Sequence, residues 1–78
     1  MKTIRVTAKH IKEGKSNCED CPIVHSLVDA GFKSVKVFGD GMAVIERDYI
    51  ELPRSARLFI NAFDSGKKVK PFSFRIDV

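Results

Sequence analysis

Apolar and polar positions alternate sharply at both ends of the chain and recur at helical spacing in between. Near the start, Ile4 and Val6 fall on one face of a strand over Lys2–Thr7. At the far end Phe72, Phe74, Ile76 and Val78 alternate with Ser73, Arg75 and Asp77, which predicts a last strand over Phe72–Val78.

The segments between are marked by turn and cap residues. Thr7 is placed to cap a short helix over Ala8–Glu13 that stops at Gly14. Lys15–Asp20 is a polar connection. Pro22 suits the first turn of a second helix, where its missing N–H costs nothing, and this helix runs through Ala30 to a stop at Gly31. At about 100° per residue, Ile23, Val24, Leu27 and Val28 define its buried face, with Cys21 at the rim and His25 farther round on the exposed side. A meander follows: Ser34–Phe38, a hairpin turn at Gly39-Asp40-Gly41, Met42–Glu46, a turn at Arg47-Asp48, and Tyr49–Leu52. Lys36, Phe38 and Tyr49 are assigned to its open face. Pro53 opens a last helix that ends near Asp64, with Ser65-Gly66 as the stop.

The predicted order is β-α-α-β-β-β-α-β, an α+β class. Its natural form is a mostly antiparallel sheet with the helices packed on one face. The first and last strands are expected to be neighbours, because pairing them ties down both ends. At 78 residues there is room for a single domain, 1–78.

Composition changes little. The chain is 44% hydrophobic and 31% charged, an ordinary globular mix. No apolar run approaches the roughly 20 residues that span a bilayer, and no apolar stretch follows the basic start, so no membrane is expected. Two cysteines are too few for a secreted disulfide scaffold, which points to a reducing cytoplasm. A small core leaves both a monomer and a homodimer open. The net charge is +4, and the charge is spread out along the chain: residues 1–39 hold seven Lys/Arg and four Asp/Glu, and residues 40–78 hold seven and six. Lys67-Lys68-Val69-Lys70 is the one basic cluster.

The most specific local chemistry is the pair Cys18 and Cys21. As zinc ligands they would need His25, four residues on and able to share a face, and His10 as the fourth. A single C-x-x-C is weak, and the helix angles turn His25 away from the buried face, as an ordinary surface histidine would be. As a redox dithiol the pair would gain from a helix N-terminus, but Glu19 and Asp20 oppose that gain. The preferred reading is structural: Cys21 packs as a small apolar residue where the helix enters the core. No resident cofactor is expected.

The last helix has two faces. Ala56, Phe59, Ile60 and Phe63 recur at i, i+3, i+4 and i+7 and form a core stripe. Arg54, Arg57, Leu58 and Asn61 stand opposite. Two arginines beside a leucine that the core does not need fit a protein-binding patch. Arg54 and Arg57 with Lys67, Lys68 and Lys70 give the alternative, a phosphate-binding surface for nucleic acid. Against it, Phe72 and Phe74 belong to a buried strand face and are poor stacking partners for bases. No nucleophile elbow, phosphate-cradling glycine loop or paired carboxylates are recognisable, so an enzyme is not expected.

Asn17-Cys18-Glu19-Asp20-Cys21-Pro22-Ile23, with Leu52-Pro53…Ala56…Phe59-Ile60…Phe63-Asp64…Gly66 and Pro71-Phe72-Ser73-Phe74, resembles a set of small uncharacterised bacteriophage and prophage proteins. The likeness spans most of the chain, but its motifs are short and carry no known chemistry. It implies an accessory protein that binds and inhibits or redirects a host protein in the host cytoplasm, as anti-CRISPR and other anti-defence proteins do. It also implies that the position of His25 is often small and apolar, which weakens the zinc reading. No functional residue is transferred with it.

Overall fold

A computed structural model describes residues 2–15, 19–38 and 40–76. The elements are β1 (Lys2–Val6), α1 (Ala8–Glu13), α2 (Pro22–Asp29), β2 (Val35–Val37), β3 (Met42–Ile45), β4 (Asp48–Glu51), α3 (Arg54–Asp64) and β5 (Phe72–Ile76). Their order is the one the sequence predicts, and every strand pair is antiparallel. The pairing is divided, however. β1 and β5 form a two-stranded sheet, and β2, β3 and β4 form a separate three-stranded one. The chain ends are thus tied together as expected, but in a ribbon of their own. α2 packs on both β1 and β2 and so spans the junction between the sheets.

Both longer helices end by the same device. Gly31 (φ +108°) and Gly66 (φ +77°) adopt the left-handed conformation that side-chain-bearing residues resist. In α2 the Phe32 N–H then reaches Leu27 O and the Gly31 N–H reaches Val28 O. In α3 Lys67 reaches Ala62 O and Gly66 reaches Phe63 O, so each helix satisfies its last carbonyls in a Schellman motif. Lys2 Nζ adds a 2.8 Å hydrogen bond to Ala30 O, a cation at a helix C-terminus.

Gly14 stops α1 for a different reason. Its backbone is extended (φ −74°, ψ 154°), with no positive φ. A β-carbon there would stand 2.6 Å from the nitrogen and Cδ of Pro22, so glycine is needed for close approach to the start of α2.

The core draws on every layer. Ile4, Val6, Ile23, Leu27, Ile45, Leu52 and Ala56 are almost fully buried, with Phe59, Ile60, Phe74 and Ile76 beside them. Each such Leu, Ile or Val stabilises the fold by about 1.5–3 kcal/mol relative to exposure. Phe59 links α3 to β5 through a ring contact of 4.8 Å with Phe72, which in turn meets Phe74 at 5.7 Å.

Two expectations fail in detail. Val28 is not in the buried face of α2: it is 49% exposed, and Ser26 is buried instead. The Ser26 hydroxyl donates to Ile23 O at 2.6 Å, so its polarity is satisfied within the helix and it enters the core without penalty. That shifts the buried face toward Ser26, leaving Val28 about 100° beyond Leu27. The second turn of the meander is also one residue earlier than expected. Ile45 pairs with Asp48, so Glu46 and Arg47 make the turn, with Glu46 at φ +58°.

Candidate functional site

The apolar stripe of α3 determines what its other face offers. Ala56, Phe59 and Ile60 are buried and Phe63 packs against the core. Arg54, Arg57, Leu58 and Asn61 fall within about 100° of one another on the opposite side. Together with Asp40, from the turn between β2 and β3, they line an open groove of about 520 Å³. All four residues singled out on the helix therefore meet in one place. Asp40 joins them because the hairpin folds its turn back beside α3, which sequence spacing does not reveal.

The groove is built around Gly41. A β-carbon at that position would lie 2.1 Å from Arg57 Cδ, so the bare turn lets the arginine stem lie against it. The Leu52 N–H donates to Gly41 O at 2.9 Å, anchoring the turn beside the start of α3. Asp40 Oδ1 accepts the Met42 N–H at 3.1 Å. The Arg57 guanidinium stands 3.7 Å from Glu51 in a solvent-facing pair that adds little stability but fixes direction. Among the described residues Arg54 has no carboxylate partner. Leu58 is 56% exposed, a large apolar side chain facing water.

The groove continues onto the open face of the meander. The register places Lys36, Val44 and Tyr49 in one row of that face, with Glu51 two residues beyond Tyr49. Tyr49 is 67% exposed and stacks on Phe38 at 6.5 Å. The assignment of Lys36, Phe38 and Tyr49 to this face agrees with that geometry. The Arg57–Glu51 pair is where sheet face and helix groove meet.

The alternative basic surface would run the length of α3. Arg54 and Arg57 lie in the first half of α3, whereas Lys67, Lys68 and Lys70 follow its far end. At about 1.5 Å per residue the helix alone separates Arg54 from Asp64 by about 15 Å.

Of the cysteine pair, Cys18 lies outside the described residues. Cys21 is the N-cap of α2 and is buried. Burial pushes its thiol pKa up, and this outweighs the lowering by the Val24 and Ile23 N–H groups at the helix start. That is the environment of a packed thiol, not of an activated nucleophile.

The two histidines serve different carboxylates. His25 Nε2 meets Asp20 Oδ1 at 2.6 Å, and its side chain is 30% exposed, so it is half-buried rather than a free surface group. The pair holds the polar loop onto α2. His10 is buried and was missed as a structural residue. Its Nδ1 accepts the Thr7 N–H at 3.0 Å while the Thr7 hydroxyl accepts the His10 N–H, a reciprocal capping box with histidine at its third position. A backbone N–H can only donate, so Nε2 carries the ring proton and gives it to Asp29 Oδ2 at 2.5 Å. The spacing Thr7-x-x-His10 was the available signal. Among the described residues no three His, Cys, Asp or Glu side chains are grouped to hold a metal, and no helix is long and apolar enough to cross a membrane.

Comparison with family models, with curated proteins and with solved structures finds no match.

Proposed function

We propose that the chain is a non-enzymatic binding module that docks a protein on the α3 groove. The observation that carries this reading is the convergence of Arg54, Arg57, Leu58 and Asn61 with Asp40 on one open groove. Arginine and aromatic residues are what interface centres favour, so Arg54, Arg57 and Tyr49 on the adjoining face supply the anchors, and the exposed Leu58 adds apolar contact beside them. The fitting partner presents an apolar side chain to Leu58 and a carboxylate to Arg54.

Size extends the surface beyond the helix. A standard interface takes about 800 Å² from each partner, about a sixth of the 5158 Å² this chain exposes. Four helix residues do not supply that area, so the open face of the meander belongs to the same surface. The resemblance to phage accessory proteins gives the partner a context: a host protein whose working surface is occluded, in the manner of an anti-CRISPR or other anti-defence protein acting in the host cytoplasm.

The test compares proteins retained from host lysate by the wild-type chain and by Leu58→Asp and Arg54→Glu variants of unchanged circular dichroism. Expected is a stoichiometric partner held by the wild type and lost by both variants. Equal retention by all three, or no retained protein at all, counts against the groove.

A further inference from the structure

The ribbon of β1 and β5 is covered on one face only. Ile4, Val6, Phe74 and Ile76 point into the core. On the other face the register sets Thr3 opposite Arg75 and Arg5 opposite Ser73, and all four are exposed. Arg5 and Arg75 are diagonal neighbours, about 7–8 Å apart in such a ladder. Neither strand contains an acidic residue. Among the described residues neither arginine has an ion-pair partner, and the same holds for Lys67, Lys68 and Lys70, which lead directly into β5. Where the lysine segment meets the ribbon, a hollow of about 390 Å³ opens beside Arg5, Thr7 and Ser73.

This surface has the shape and charge to meet a duplex. A two-stranded antiparallel ribbon is one of the two elements that the major groove, about 12 Å wide, admits. Five residues of strand cover about 17 Å, the rise of about five base pairs. Arginine forks and the hydroxyls of Thr3 and Ser73 suit base edges, and lysines suit phosphates. We infer that the β1–β5 ribbon is a duplex-DNA-binding surface, with Arg5 and Arg75 facing the groove and Lys67, Lys68 and Lys70 on the flanking phosphates. The inference goes beyond the protein-docking groove and does not depend on it. α3 packs its buried side toward the covered face of the ribbon through Phe59 and Phe72, so its outer groove faces away from the duplex. Both partners can be held at once.

The test is fluorescence anisotropy with a mixed-sequence duplex of about 30 base pairs, from about 20 to about 200 mM salt. Expected is binding that weakens steeply with salt. The Arg5→Ala/Arg75→Ala double variant should lose about tenfold or more in affinity. The Lys67→Gln/Lys68→Gln/Lys70→Gln variant should flatten the salt slope by about three contacts' worth. Lys33→Gln should change neither. A-form RNA hides its major groove from a ribbon, so duplex RNA should bind more weakly. The inference is overturned by no binding at the lowest salt, or by binding indifferent to Arg5 and Arg75. It is equally overturned by duplex RNA bound as well as DNA, or by an acidic peptide bound more tightly than the duplex through the same arginines.

Discussion

Replacing His10 separates two jobs that one side chain performs. In His10→Ala the Thr7 N–H loses its acceptor, a hydrogen bond with a net worth of about 1 kcal/mol. The buried ring is deleted as well, which removes about another 1 kcal/mol of packing. The bond to Asp29 is left out of the sum, because that carboxylate is 68% exposed and keeps water as a partner. The expected loss is about 2 kcal/mol. In His10→Gln the Oε1 atom can accept the Thr7 N–H again, restoring the Thr-x-x-Gln form of the capping box, so the loss should be about half as large. Urea unfolding reads both, since a domain of this size has a slope near 1 kcal/mol per molar and the midpoints should fall by about 2 M and about 1 M. A fall of less than about 0.5 M for alanine, or glutamine as damaging as alanine, would refute the reciprocal cap as the role of His10.

Gly14→Ala should cost about 1–3 kcal/mol, since the new methyl meets the backbone nitrogen of Pro22, which cannot swing aside; an unchanged unfolding midpoint would contradict the close approach. The His10 hydrogen bond, helped by the nearby Lys9 charge, holds the Asp29 carboxyl below its ordinary 3.8 against the opposing effect of desolvation. Its folded pKa is lowered, so its contribution is complete above 3.8 and fades as pH falls through the folded value. The stability gap between wild type and Asp29→Asn should therefore close as the pH falls through the folded Asp29 value; a gap that widens there has the wrong sign. In a Cys18→Ser chain the Cys21 thiol should react with a disulfide reagent slowly when folded and rapidly in denaturant, because it is buried with a raised pKa; rapid labelling of the folded chain would reverse that reading.

What the sequence made legible was periodic or punctuated. The Thr7 cap, the glycine stops of α2 and α3 and the stripe from Ala56 to Phe63 all follow from local rules, and they carry the element order with them. The failures were tertiary. Ser26 takes a core position because its hydroxyl bonds back to Ile23, a contact invisible to a hydrophobicity pattern. Gly14 looked like a conformational stop and proved to be a contact with Pro22. The site was half legible. Amphipathicity isolated Arg54, Arg57, Leu58 and Asn61, but Asp40 reaches them only through the hairpin. Arg5 and Arg75 lie 70 positions apart in the chain and become neighbours only once the β1–β5 register is known.

The most direct measurement of the central claim is photocrosslinking from one position on each surface, at Leu58 in the α3 groove and at Thr3 on the ribbon. In cells that express the chain the groove position should label one protein, and its yield should fall when Arg54→Glu is added. The ribbon position should leave that protein unlabelled. Labelling of the same protein from both positions, or from the ribbon alone, would contradict a docking surface centred on Arg54, Arg57, Leu58 and Asn61.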